Sequence, residues 1–132
     1  MTLLHRVLRA QAAVWTAAGL TVVAAPRWVL VTVFRQVPYP DYTYVRVSGA
    51  MAVGFSLLAV LVARRADEVW WWAWSFAITD AAVATITATN ALVGRPDGSS
   101  ALLWWLFSAV NAALAAGLLV GLGRTGQEKP FT

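Results

Sequence analysis

The chain has 132 residues, is 60% hydrophobic and carries a formal net charge of +4. This composition is too apolar for one small water-soluble core, so part of the surface is expected to face lipid. The absence of cysteine excludes disulfides, thiolate metal sites and cysteine nucleophiles. The basic residues form no stripe, which argues against nucleic acid as a partner and favours a role in membrane topology.

The first apolar run, residues 7–25, is long enough to cross a bilayer. It resembles a signal peptide, because His5 and Arg6 precede it. However, the run is longer than a typical signal core, and Pro26 stands where the residue after a cleavage site would be. We therefore predict an uncleaved membrane anchor.

A second apolar stretch, residues 29–34, is too short to span hydrocarbon as a helix. It is predicted to be an interfacial or re-entrant segment between spans 1 and 2. The turn that follows contains Pro38 and Pro40, which break regular structure. Its tyrosines are of the kind that enrich membrane interfaces.

Three further spans are predicted at about residues 44–63, 69–92 and 101–122, followed by a polar tail at 123–132. Together with residues 7–25 they make one transmembrane domain over residues 1–132, an all-α four-helix bundle. With both termini inside, six Lys and Arg lie on the cytoplasmic side and four lie outside. This bias predicts an N-in, C-in orientation.

Asp80 is the main chemical anomaly, because it lies near the middle of the third span. Its helical face consists mostly of small residues and includes Thr87, so it is expected to face the bundle. Asn111 lies at a similar depth in the fourth span, and an Asp80–Asn111 hydrogen bond is predicted. Asp80 is interpreted either as a structural polar latch or as a site for proton transfer, ion coordination or ligand binding.

Arg46 enters the second span from its outer end. One interpretation is that its guanidinium extends to lipid phosphates, and the other is that it reaches an anionic group held between helices. Asp80 lies several turns deeper, so no direct bridge between the two is predicted.

Small residues at intervals of four form a ridge on the fourth span, where close contact with another helix is expected. The ridge consists of Ala109, Ala113, Gly117 and Gly121, and Gly49 of the second span is assigned to the same class of packing positions. Asn111 lies about 200° from the ridge. Either this helix is contacted on both sides within the chain, or one face meets another chain, which favours an oligomer or a partner.

The eight tryptophans invite a cofactor interpretation, but most fall at predicted span ends, where indoles anchor in the headgroup region. The residues interpreted in this way are Trp28, Trp70, Trp71, Trp72, Trp104 and Trp105. His5 is the only histidine, so no bis-histidine haem, histidine-rich metal site or Ser-His-Asp triad is available within one chain. No catalytic residue and no cofactor is assigned.

The segments AAPRW and YVRVSGAMAVGFSLLAV, with the intervening apolar stretch and Pro-Tyr-Pro turn, resemble the DoxX-like group of small four-helix bacterial membrane proteins. The resemblance covers mainly residues 24–60. It implies a four-span bundle and, in some members, association with quinone-linked redox systems.

Three functional hypotheses follow. The first is an accessory or structural subunit of a larger membrane assembly, or a homo-oligomer. The second is a protein, or an enzyme, that binds a lipid, isoprenoid or quinone in an intramembrane pocket lined by Asp80, Asn111 and Arg46. The third is a small proton-coupled transporter in which Asp80 titrates. The excess of Arg over Lys and the abundance of Ala, Val and Trp suggest a GC-rich bacterial genome. With its four predicted spans, the chain is expected to be a multi-pass protein of the bacterial inner membrane.

Overall fold

The computed structural model describes residues 2–129. All regular secondary structure in these residues is helical, and they contain no strand. Two π-helical segments and one 3-10 turn accompany the α-helices. The α-helices are α1 (Leu3–Ala24), α2 (Thr43–Arg64), α3 (Ala66–Val69), α4 (Ala73–Thr89) and α5 (Leu102–Glu128), the π-helical segments are Trp28–Val33 and Asn90–Gly94, and the 3-10 turn is Trp70–Trp72.

Four helical stretches are long and apolar enough to cross a membrane, as expected of a multi-pass membrane protein. They are Leu3–Ala24, Thr43–Arg64, Ala66–Gly94 and Leu102–Glu128. The prediction of an all-α protein with four long apolar helices is therefore confirmed.

The four long helices form two antiparallel hairpins, α1 with α2 and α4 with α5. Contacts between α1 and α5 join the hairpins, whereas α2 and α4 touch little although a tight turn connects them. Within the first hairpin the backbones meet at Gly19 and Gly49. A Cβ atom on Gly49 would lie 2.5 Å from Cγ2 of Val22 and 2.7 Å from the carbonyl oxygen of Gly19. Glycine is therefore required at this contact.

The largest apolar cluster lies at one end of the molecule, where α1 begins and α5 ends. It combines side chains from all four long helices with the indole of Trp70. The buried members are Leu4, Leu8, Ala12, Ala59, Val62, Ala63, Trp70, Ala73, Phe76, Ala77, Leu118 and Leu122. The cluster brings both ends of the described chain to the same end of the bundle.

Helix α5 continues to Glu128, so the predicted polar tail is helical over its first six residues, 123–128. Two contacts stabilise this extension. Gly126 lies so close to Trp70 that a Cβ there would be 3.3 Å from the indole, and the Lys129 ammonium lies 2.6 Å from a carboxylate oxygen of Asp67. The sequence predicted a polar tail but not these contacts with Trp70 and Asp67; residues 130–132 of the predicted tail lie outside the described residues.

At the opposite end, the predicted interfacial segment forms the π-helical turn Trp28–Val33. Val29 and Leu30 of this turn are buried. The chain then meets the loop between α4 and α5, because Gln36 donates to the carbonyl of Ser100 at 2.8 Å and Ser100 N–H donates to the carbonyl of Arg35 at 3.2 Å. The segment thus links the two hairpins at this end.

Candidate functional site: a buried polar cluster around Asp80

Asp80 is fully buried on α4, and its hydrogen-bond partner is on α1. The side-chain amide of Gln11 donates to Oδ1 of Asp80 at 3.0 Å. The predicted partner, Asn111, instead donates to the carbonyl of Phe107 on its own helix at 2.8 Å. The prediction of an Asp80–Asn111 hydrogen bond was therefore wrong. The Asn111 amide bonds the backbone of its own helix, α5, and the longer side chain of Gln11 reaches Asp80 from α1.

Gln11 was missed from the sequence, although a signal was present. It is an amide side chain in the middle of an apolar run, the same kind of anomaly that singled out Asn111. The length and apolar character of residues 7–25 predict a span without indicating which helix the Gln11 amide would reach.

The helix registers place three polar residues near one level. Ser108 of α5 donates to the carbonyl of Ala84 on α4 at 2.9 Å, which fixes the antiparallel register of these helices. Asn111 lies about one turn after Ser108 on α5, and Asp80 lies about one turn before Ala84 on α4. Because the two helices are antiparallel, both residues lie on the same side of the Ser108–Ala84 contact. We call Gln11, Asp80 and Asn111 the polar cluster; its members come from three different helices.

The polar cluster has a surplus of hydrogen-bond acceptors. Oδ2 of Asp80, Oε1 of Gln11 and Oδ1 of Asn111 are all buried and have no hydrogen-bond partner within the described chain. Each residue is at most 3% exposed. Burying an acceptor without a partner costs free energy. The polar cluster is therefore suited to hold a proton on the carboxyl group, a cation or the hydroxyl group of a ligand.

Thr87, which was predicted to share the face of Asp80, is also buried but does not join the polar cluster. Its hydroxyl lies 2.7 Å from the carbonyl of Val83 and 3.2 Å from that of Ala84, both one turn back on its own helix. The side chain is thus satisfied by local backbone, as is common for threonine in helices.

Arg46 lies apart from the polar cluster. It is exposed in the first turns of α2. The contact between Gly19 and Gly49 sets the register of α1 and α2 and places residue 57 at the level of Gln11. Arg46 is eleven residues from that level, about 16 Å along the helix axis. The structure does not bring Arg46 into one pocket with Asp80 and Asn111.

The small-residue ridge of α5 divides into two parts. Gly117 and Gly121 face α1, since Cβ atoms on them would lie 3.0 Å from Val7 and from Leu4, respectively. Ala109 and Ala113 are exposed. Because α5 packs between α1 and α4, each of its two opposed faces is contacted within the chain over part of its length, so the opposition of the two faces does not by itself require a second chain.

The exposed part of the ridge borders a shallow groove on the outside of the bundle, between α1 and α5. Its volume is about 410 Å³, and it is lined by Arg6, Val7, Ala10, Val110, Ala113 and Leu114. We call it the α1–α5 groove. Except for the arginine at one end, its walls are small or branched apolar side chains.

The tryptophans do not share one role. Trp70 is only 5% exposed and belongs to the apolar cluster, so its interpretation as an interfacial anchor was wrong. It follows the tight turn after α2 and points into the bundle. Trp28, Trp71, Trp72 and Trp105 are exposed near helix ends.

Between residues 2 and 129, no group of three or more His, Cys, Asp or Glu side chains is placed to hold a metal ion. Comparison with known proteins gave no match: no protein-family model, characterised protein or solved structure is similar to this chain. The resemblance to DoxX-like proteins therefore stays a prediction.

Proposed function

We propose that this chain is a multi-pass protein of the bacterial inner membrane that acts as an accessory or structural subunit, associating with another membrane chain or with a second copy of itself. The proposed orientation is N-in, C-in, from the distribution of Lys and Arg. The observation that carries the proposal is the α1–α5 groove with the exposed Ala109 and Ala113 beside it.

Small residues matter here because helices in lipid gain little from hydrophobic transfer. Their association depends on close van der Waals packing, which alanine and glycine permit. The same ridge already illustrates this at Gly117 and Gly121, where α1 packs closely on α5. Ala109 and Ala113 offer an equivalent surface to a helix from outside the chain.

Filling the groove tests this proposal. Ala113→Leu is expected to weaken association about tenfold or more, since overpacking a close helix contact typically costs about 1–3 kcal/mol. The control is Ala82→Leu, an equal enlargement at an exposed position on α4. The measurement is native mass spectrometry of each protein released from membranes in mild detergent. A wild-type protein that is monomeric and free of partners, or an unchanged assembly in Ala113→Leu, would contradict the proposal.

The acceptor surplus of the polar cluster favours a second candidate, a proton-coupled or cation-coupled transport function at Asp80. Gln11 and Asp80 touch and each keeps an unpartnered buried oxygen, so a proton or a small cation bound at Asp80 would contact acceptors from two helices, and movement of these helices would alter their spacing. In infrared difference spectra recorded on changing pH or sodium concentration, we expect a carboxyl band that disappears in Asp80→Asn. It should persist in Asp97→Asn, whose carboxyl group lies in an exposed loop. Identical difference spectra for wild type and Asp80→Asn would exclude this function.

A further inference from the structure

A cleft of about 560 Å³ lies where α1 ends and α2 begins, at the end of the bundle remote from the apolar cluster. Two arginines far apart in sequence, Arg27 and Arg46, both line it. Arg27 follows the proline that ends α1, and Arg46 is in the first turns of α2. The short π-helical turn and the Pro-Tyr-Pro segment bring them to one opening.

Both guanidinium groups are available to a ligand. The ion pairs of the described residues join Arg65 to Glu68 and Lys129 to Asp67, so neither cleft arginine takes part in one. Asp41, in the loop before α2, already accepts two hydrogen bonds from Thr43. Hydrogen bonds from the hydroxyl and backbone N–H of Thr43 lower the pKa of Asp41, with a smaller contribution from the charge of Arg46.

Aromatic side chains complete the cleft and fix its shape. Tyr39 and Tyr42 pack with ring centroids 5.9 Å apart, and the Tyr42 hydroxyl accepts the backbone N–H of Tyr39 at 3.3 Å. Because the Tyr42 hydroxyl accepts in this bond, its own proton can be donated to a ligand. Trp28 also lines the cleft, and Pro38 and Pro40 stiffen the loop.

We propose that this cleft, the arginine cleft, binds a phosphate group and that its ligand in the membrane is the headgroup of an anionic phospholipid. Arginine guanidinium groups match phosphate oxygens in geometry and charge, and a tyrosine hydroxyl adds a further donor. Exposed indole and phenol rings beside them suit the layer where lipid headgroups meet hydrocarbon. The inference rests on the membrane placement proposed above, but it does not depend on the α1–α5 groove.

The experiment compares lipid retention in nanodiscs of phosphatidylcholine with and without phosphatidylglycerol, using native mass spectrometry. Wild type is expected to retain phosphatidylglycerol, and Arg27→Gln and Arg46→Gln should each weaken retention about fivefold, since one basic residue near a lipid surface contributes about this much. The double Arg27→Lys, Arg46→Lys variant should keep part of the binding. Lysine keeps the positive charge but lacks the planar guanidinium group that can bind two phosphate oxygens at once. The control is Arg35→Gln, an exposed arginine that does not line the cleft.

A parallel arm distinguishes the source of the phosphate. Glycerol phosphate is added to protein in nanodiscs of phosphatidylcholine alone. If glycerol phosphate binds and its binding requires Arg27 and Arg46, the cleft is a phosphate site whose ligand is a soluble molecule and not a lipid. Equal lipid retention by the wild type and by a double Arg27→Gln, Arg46→Gln variant, with no glycerol phosphate bound, would overturn the proposal. The subunit number appears in the same spectra, so a change in lipid retention is separated from any failure of the proposed association.

Discussion

Gln11 and Asp80 connect helices that otherwise make few contacts, since α1 packs mainly on α2 and α5 while α4 packs mainly on α5. Their hydrogen bond therefore spans the junction between the two hairpins. Asp80 was expected to hold together neighbouring spans through Asn111. Its observed partner instead makes it a link between the first hairpin and the second.

This link predicts a measurable coupling between the two residues. In a double-mutant cycle with Gln11→Ala and Asp80→Ala, we expect a coupling energy of about 0.6 kcal/mol, and up to about 1.7 kcal/mol, the range found for side-chain hydrogen bonds in membrane helices. The unfolding free energy in bicelles, measured for the two single variants and the double variant, supplies the value.

Asn111 gives the matched control for this cycle. It is buried at a similar level, but its amide bonds the carbonyl of Phe107 and not Asp80. The cycle of Asn111→Ala with Gln11→Ala should give a much smaller coupling. Equal coupling in both cycles would mean that Gln11 has no specific partner in Asp80.

At the scale of the helices, the sequence predicted which segments are helical far better than it predicted which faces meet. Length and hydropathy are local properties, so four long apolar runs sufficed to locate the spans. The partner of Asp80 and the burial of Trp70 depend on the order of helices around the bundle. In lipid both faces of a helix are apolar, so periodicity gives little information about that order.

Gly49 is an exception, because its residue type alone pointed to a close approach between helices. Gly49 was assigned to a helix-packing position from its residue type, and it lies against Gly19, a residue to which the sequence gave no specific role. Gly54, on the same helix, has nothing within 4 Å of where its Cβ would be. One helix thus contains a required glycine and a replaceable one.

Alanine substitutions should separate these two glycines. Gly49→Ala is expected to destabilise the protein by about 1–3 kcal/mol, because its Cβ would collide with the backbone of α1. Gly54→Ala should leave stability unchanged or raise it by up to about 1 kcal/mol, since alanine is the better helix former. Thermal unfolding of both variants in the same detergent makes the comparison, and equal effects would contradict the close α1–α2 contact.

At the scale of the whole molecule, the two hairpins meet firmly at one end and are joined at the other by the π-helical turn and the Gln36–Ser100 contact. The end with the apolar cluster contains the start of α1, the turn with Arg64 and Arg65, and the end of α5. These are the segments that carry six of the ten basic residues in the predicted topology. The arginine cleft is at the other end, which places it on the outer side if the orientation is N-in, C-in.

The absence of cysteine makes this orientation directly measurable, because a single introduced thiol is a unique label. We expect Asp97→Cys, in the exposed α4–α5 loop, to react with a membrane-impermeant maleimide added to intact cells, and Gln127→Cys to react only after the membrane is opened. Helix α5 separates the two positions by about 40 Å, more than the thickness of the hydrocarbon core. Reversed labelling would contradict the orientation alone, and labelling of both thiols from outside would mean that α5 does not cross the membrane.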